Sequence, residues 1–131
     1  MQSIRPKDKL YSILVEPSLR CRRSLEKLVG TPQLENRFRY VPRAIADPNL
    51  SHVKFFDRPY MAGSIFESDN TDFSYNANTL KTSDIPSSSL GSYDLVKCDI
   101  EGGEWDLLKY YSSILQKSKF LVMEWHSWHS G

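Results

Sequence analysis

One stretch, Tyr93-Asp-Leu-Val-Lys-Cys-Asp-Ile-Glu-Gly-Gly-Glu104, constrains the fold more than any other part of the chain. Its first half is largely apolar and predicts a strand that ends on the acid Asp99. Gly102 and Gly103 then allow the backbone to approach a ligand closely or to adopt a positive φ. A segment with apolar residues at helical spacing follows. A strand, an acid and a helix in this order are typical of a parallel α/β sheet.

The same alternation of strands and helices extends over the chain. Apolar runs bounded by turn residues predict strands at 10–15, 38–45, 94–99 and 120–124 and helices at 18–29 and 103–117. Residues 53–56 predict a further short strand, whereas the polar, turn-rich residues 67–78 predict a loop. We therefore expect an α/β fold with a Rossmann-like, mainly parallel sheet and flanking helices, in a single domain over residues 1–131.

Acids occupy the carboxyl ends of the predicted strands. Glu16, Asp99 and Glu124 each end a strand, and Asp47 follows another in an Asp-Pro turn. Each acid alone is weak evidence for a site, because an acid after a strand is often only a helix N-cap or a solvated loop residue. Ligands of open α/β sheets, however, bind at the carboxyl ends of the strands. Four acids at one edge therefore predict a site for a cationic or hydroxylated ligand.

Individual acids suggest individual roles. Glu16 stands where dinucleotide-binding folds place a carboxylate that accepts both ribose hydroxyls. Asp47 is a candidate acceptor for an adenine amino group, although a simple Asp-Pro turn explains it as well. Asp99 and Glu101 are close enough in sequence to share a substrate proton or a cation. Glu104 falls in the first turn of a helix, where a negative charge suits the helix dipole.

Two histidines, His126 and His129, follow the last predicted strand. Either is a candidate base or one half of a carboxylate–histidine metal pair, and the alternative is a frayed chain end. Acids and one histidine without tight spacing are a poor metal signature. Cys21 and Cys98 form no CxxC pair either. We therefore expect no metal site.

The composition indicates one ordinary folded domain. The chain has 131 residues, which is enough to form one hydrophobic core. Of these residues, 40% are hydrophobic and 25% are charged, a composition that argues against disorder. A formal net charge of +1 gives no reason to expect nucleic acid or an anionic membrane as a partner. No apolar run approaches the roughly 18 residues of a membrane span. Residues 1–9 carry no secretory signal, so we expect a cytoplasmic protein.

Three blocks resemble, in the same order, the FkbM-type S-adenosylmethionine-dependent methyltransferases. They are Ile13-Leu-Val-Glu-Pro17, Asp94-Leu-Val-Lys-Cys-Asp-Ile-Glu-Gly-Gly-Glu104 and Leu121-Val-Met-Glu-Trp-His126. The resemblance covers residues 10–126, and the middle block is the specific one. It implies a class I, Rossmann-like fold and transfer of a methyl group from S-adenosylmethionine to a hydroxyl of a small molecule or glycan.

The resemblance also assigns roles to residues of this chain. It implies that Glu16 binds the ribose of the methyl donor and that Asp47 lies near its adenine. It places Asp99 beside both the donor and the reacting groups. It implies that Glu101 faces the methyl group and the acceptor. His126, the last residue of the third block, stays a candidate catalytic base from its position after the last predicted strand.

The chain departs from this family at its start. The family begins with a strand and a glycine-rich turn that wraps the donor, whereas the first glycine here is Gly30. We therefore expect a truncated sheet, from a fragment or from a reduced form that a second chain completes. Binding of the donor by this chain alone should be weak or undetectable. The missing strand would lie between residues 10–15 and 94–99, and the bare edges predict a homo-oligomer or a completing partner chain.

Two other functions remain open from the sequence. The first is a non-catalytic binding or assembly module that keeps the sheet and lacks the donor turn. The second, which ranks lowest, is a metal-dependent hydrolase that uses Asp99, Glu101, Glu124 and His126.

Overall fold

A computed structural model describes residues 11–34, 37–57, 63–66, 73–85 and 92–126. Within them, the strands and helices are β1 Ser12–Val15, α1 Leu19–Val29, β2 Phe38–Val41, β3 His52–Asp57, β4 Phe73–Asn78, β5 Tyr93–Cys98, α2 Glu104–Tyr110, α3 Ser112–Gln116 and β6 Ser118–Met123. No helix in these ranges is long and apolar enough to cross a membrane.

The described strands form three two-stranded sheets rather than one. β1 pairs with β2 and β5 pairs with β6, both in parallel, whereas β3 and β4 form an antiparallel pair. The expected mixture of helices and parallel strand pairs is therefore confirmed. The expected continuous sheet is not seen, because β1 and β5 share no hydrogen-bonded ladder within the described residues.

The turn after β1 starts the first helix in the predicted place. Pro17 is followed by Ser18, whose side chain caps α1 by accepting a hydrogen bond from Cys21 N at 3.4 Å. Gly30 ends the helix by donating its N–H to Glu26 O at 3.0 Å. The predicted helix at 18–29 is thus confirmed, with Ser18 as its cap.

The β3–β4 hairpin corrects the prediction of a loop at 67–78. β4 occupies Phe73–Asn78, and residues 67–72 lie outside the described part of the chain. Its apolar residues alternate with polar ones, as expected for a strand with one covered face. Tyr75 lies opposite Phe55 with ring centroids 5.7 Å apart, and Ala77 is buried.

Two other predicted elements are shorter than expected. β2 ends at Val41 because Pro42, which has no N–H, follows it. Beyond Pro42, Ala44 forms an isolated parallel bridge with Thr79, the residue after β4. The single helix predicted at 103–117 is broken at Tyr111, which turns into the core and is fully buried.

Both parallel pairs contribute to the main core. The phenol oxygen of Tyr111 lies 2.7 Å from the carbonyl oxygens of Ala46 and Leu80. The residues around it come from β1, β2, β5, β6, both C-terminal helices and the segment after β4: Ile13, Val15, Val41, Leu80, Cys98, Leu107, Ile114 and Met123. One apolar cluster therefore connects two strand pairs that share no sheet ladder in the described part of the chain.

The outer side of the β5–β6 pair carries little cover. Phe120 is 71% exposed, and Val122, Leu121 and Leu95 are exposed as well. Consecutive residues of a strand point to opposite faces, so apolar side chains are open on both faces of β6. Part of this strand pair is therefore uncovered in the described residues, whereas the bare edges expected between residues 10–15 and 94–99 stay a prediction.

Candidate functional site

The carboxyl ends of β5 and β6 lie side by side. Cys98 is in register with Met123, and Glu124 N donates to Cys98 O at 2.9 Å. Asp99 directly follows β5, and Glu124 and His126 follow β6. Parallel pairing therefore brings together residues that are more than twenty positions apart in the sequence.

A tight turn, Glu101–Gly103, connects β5 to α2. Glu101 has a φ of 49° and Gly102 a φ of 103°, so the second position needs a residue without a side chain. A Cβ on Gly103 would lie 3.1 Å from Cδ1 of Ile100. The carbonyl oxygen of Glu101 accepts a hydrogen bond from Ser64 Oγ at 2.6 Å. The glycine pair therefore shapes the backbone that presents Glu101 and Glu104.

Glu104 and His126 form a buried pair. His126 Nδ1 lies 2.5 Å from Glu104 Oε1, and the Glu104 side chain is only 1% exposed. Since a carboxylate accepts and does not donate, this contact assigns the Nδ1 proton to the imidazole. Glu104 lies in the first turn of α2, as predicted, but its main contact is with the histidine.

The other nitrogen of His126 faces two more carboxylates. Nε2 lies 3.4 Å from Glu101 Oε2 and 3.7 Å from Glu124 Oε1. Desolvation by itself would lower the pKa of His126. The hydrogen bond with Glu104 and the charges of Glu101, Glu104 and Glu124 outweigh it, so the pKa is raised.

The three predicted catalytic residues come together. Ligand atoms of Asp99, Glu101 and His126 all lie within 4.8 Å of one another. Asp99 is exposed, whereas Glu101 and His126 are half-buried. The cluster is exposed at Asp99, and the buried carboxylate of Glu104 contacts His126 on the other side. Such an arrangement suits a small polar ligand.

Glu16 lies on the β1 side of the same region. Its Oε1 accepts a hydrogen bond from Ser18 N at 3.0 Å. Desolvation raises the pKa of Glu16 against the effect of this hydrogen bond, and the charges of Asp57 and Asp99 raise it further. Glu16 is thus near enough to Asp99 for the two charges to interact.

A buried network beside Glu16 was not predicted. Asp57 is 1% exposed and accepts hydrogen bonds from Ser18 Oγ at 3.1 and 3.0 Å and from Tyr75 OH at 2.9 Å. Tyr75 OH in turn accepts from Leu19 N at 2.7 Å. No local sequence pattern connects Ser18 with Asp57, because the two residues lie 39 positions apart.

Asp47 forms a local turn in the structure. Its Oδ1 accepts a hydrogen bond from Asn49 N at 2.9 Å, which is the local turn given as the alternative in the sequence analysis. Its charge raises the pKa of Asp106 and Tyr111 after the larger effect of desolvation at each. It is absent from the charges that perturb the pKa of Glu16 or His126.

The chain end beyond the site is only partly described. Trp125 packs against Trp105 in an edge-on contact with ring centroids 5.0 Å apart, in agreement with a packing role. His129, the second candidate histidine, lies outside the described residues.

Comparison with known proteins finds no match among protein-family models, curated proteins or solved structures. A function for this chain therefore has to be argued from the geometry of its own residues.

Proposed function

We propose that the chain is part of a Rossmann-like, S-adenosylmethionine-dependent methyltransferase that methylates a hydroxyl of a small molecule or glycan. The observation that carries the proposal is the convergence of Asp99, Glu101 and His126 beside Glu16 at the ends of parallel strands. Ligands of open parallel sheets bind at that edge. The three sequence blocks that resemble this family supply all four of these residues.

Glu16 has the properties that ribose binding requires. One of its oxygens is fixed by Ser18 N, so the carboxylate has a defined orientation. It is half-buried and repelled by Asp57 and Asp99, and a hydroxyl donor would relieve that unfavourable environment. We therefore assign the donor ribose to Glu16, and the side nearer to Asp99 to the reacting groups.

Asp99, Glu101 and His126 would hold the acceptor hydroxyl and take its proton. The donor supplies a methyl group on a positively charged sulfur: the S–C bond breaks as the C–O bond forms, and a neutral thioether leaves. The protein mainly has to align the hydroxyl with that bond. The carboxylates accept the hydrogen bond, and the raised pKa of His126 favours retention of the proton on the cluster.

Saturation-transfer NMR with S-adenosylhomocysteine tests the proposal on the full chain. We expect binding weaker than micromolar, because no glycine precedes Gly30 to let the backbone approach the donor closely. Glu16→Gln should abolish the signals of the ribose protons. Glu26→Gln, which changes an exposed acid of α1, is the matched control and should leave them unchanged.

Two outcomes of that experiment would count against the proposal. Absence of any saturation transfer at millimolar ligand would show that the chain does not bind the donor. Equal signals from the wild type and Glu16→Gln would remove Glu16 from the ribose site. A micromolar dissociation constant by calorimetry would instead refute the expected weakness and leave the assignment of the site in place.

One observation favours a second candidate, a binding or assembly module. Leu95, Phe120 and Val122 expose apolar side chains on a two-stranded sheet. Exposed apolar patches of several hundred Å² usually mark an interface. Light scattering over a wide concentration range should then detect a dimer or larger species, and a monomer up to millimolar concentrations would exclude self-association.

A further inference from the structure

The orientation of His126 is the starting point. Its Nδ1 is committed to Glu104, so the second ring nitrogen of the neutral imidazole carries a lone pair. That lone pair faces Glu101 Oε2 at 3.4 Å and Glu124 Oε1 at 3.7 Å. All three atoms are acceptors, and both distances exceed those of an N–H···O hydrogen bond. These ligand atoms therefore converge on one point, at a spacing at which nitrogen and oxygen ligands share a cation.

We propose that Asp99, Glu101 and His126 bind one divalent transition-metal ion, of the Mn²⁺ or Zn²⁺ type. Their ligand atoms lie within 4.8 Å of one another, and His126 Nε2 and Glu101 Oε2 are 3.4 Å apart. Two ligands at about 2.1 Å from a tetrahedral ion lie about 3.4 Å apart, so this pair needs no rearrangement. Asp99, which is exposed, is free to close the remaining distance.

Glu104 supplies the support that such a site needs. Histidine ligands in metal sites nearly always donate their second N–H to a carboxylate or carbonyl, which fixes the ring and its tautomer. Glu104 does this from a position that is 1% exposed. It acts here as a positioning residue, since its own oxygen contacts the ring nitrogen on the side away from the proposed ion.

The donor set decides the class of ion. One imidazole nitrogen with two carboxylates suits Mn²⁺, Fe²⁺ or Zn²⁺ better than Mg²⁺ or Ca²⁺, which prefer oxygen ligands alone. Three protein ligands also leave coordination positions open, as catalytic sites do. An ion there would lower the pKa of a bound water or hydroxyl. The sequence spacing argued against a metal, but the distances now favour one.

Mn²⁺ titration followed by electron paramagnetic resonance tests the inference on the full chain. The signal of free aqueous Mn²⁺ should decrease until one ion is bound per chain. Asp99→Asn and Glu101→Gln should each weaken binding about tenfold or more, and Glu104→Gln by roughly 10- to 100-fold. Glu26→Gln should have no effect, and circular dichroism would verify that each variant is folded.

Failure of the metal site is clearly distinguishable from failure of the methyltransferase. The inference does not rest on donor binding, and its readout needs neither donor nor acceptor. An undiminished Mn²⁺ signal from the wild type up to about 1 mM would overturn it and would indicate that a proton alone occupies the site. Binding that is unchanged in both Asp99→Asn and Glu101→Gln would also overturn it, since the ion would lie elsewhere.

Discussion

The two acidic ends of the parallel pairs differ in what surrounds them. Beside β1, hydrogen bonds from neutral groups satisfy the carboxylates, with Ser18 serving both Glu16 and Asp57 and Tyr75 serving Asp57. Beyond β5 and β6, the partner of the carboxylates is the imidazole of His126. The first environment suits a neutral, hydroxylated ligand, whereas the second has a surplus of negative charge and suits a cation. Acids at equivalent strand ends therefore need not perform equivalent chemistry.

Removing the buried acid of the second end should have the largest effect on stability. Glu104→Ala leaves Nδ1 of His126 without its acceptor at a site with little access to water. We expect the free energy of unfolding to fall by about 3 kcal/mol in urea denaturation. Glu124→Ala is the matched control, because its side chain is 64% exposed and faces the same ring, and it should change stability by less than about 0.5 kcal/mol. Equal losses in both variants would show that burial does not distinguish these two carboxylates.

Removal of the buried acid Asp57 beside β1 should reduce stability by a smaller amount. Asp57→Ala leaves the hydroxyls of Ser18 and Tyr75 without their shared acceptor. Both donors are neutral, so we expect a loss of about 2 kcal/mol in the same measurement. Asp94→Ala, at a side chain that is 87% exposed, is the control and should be close to neutral. A loss larger than that of Glu104→Ala would reverse the order of the two ends.

The smallest effect should be a pH-dependent gain in stability when Glu16 is replaced by Gln. The pKa of Glu16 is raised in the folded protein, mainly by desolvation, so the folded state binds the proton more tightly than the unfolded state. Stability from this group is therefore present at acidic pH and is lost as pH rises through the raised pKa. Glu16→Gln cannot ionise, and we expect it to be more stable than the wild type at neutral pH by up to about 1 kcal/mol.

Urea denaturation at several pH values checks the sign of that difference. The gain should shrink as pH falls below the unfolded pKa of Glu16, where the wild-type carboxyl is also neutral. A variant that is less stable than the wild type at neutral pH would mean that the hydrogen bond from Ser18 outweighs burial.

Local patterns in the sequence predict the strands that carry the site. β1, β5 and β6 are apolar runs that end on acids, and their parallel pairing follows from the helices between them. This much places Asp99 and His126 at one edge. The β4 strand was missed because Ser74, Asn76 and Asn78 are typical turn residues, although they alternate with apolar residues as in a strand with one covered face.

Contacts between distant residues explain the rest. Glu104 fits a helix start by sequence, and only tertiary structure reveals its contact with His126, 22 residues further along. Similarly, helical spacing continues past Tyr111, and the break there arises because the phenol reaches carbonyls of two other segments. Contacts of this kind leave no local pattern in the sequence, so a single sequence does not allow them to be predicted.

The β3–β4 hairpin contacts both halves of the candidate site, the half beside β1 and the half beyond β5 and β6. Asp57 at the end of β3 holds Ser18, and Ser64, which bridges to Phe56, holds the carbonyl of Glu101. Because no shared ladder connects β1 with β5 in the described residues, the gap between the halves is set by side-chain contacts rather than by the fixed spacing of strands. A change in the hairpin would therefore alter how far apart two bound groups are held, and leave each half of the site intact.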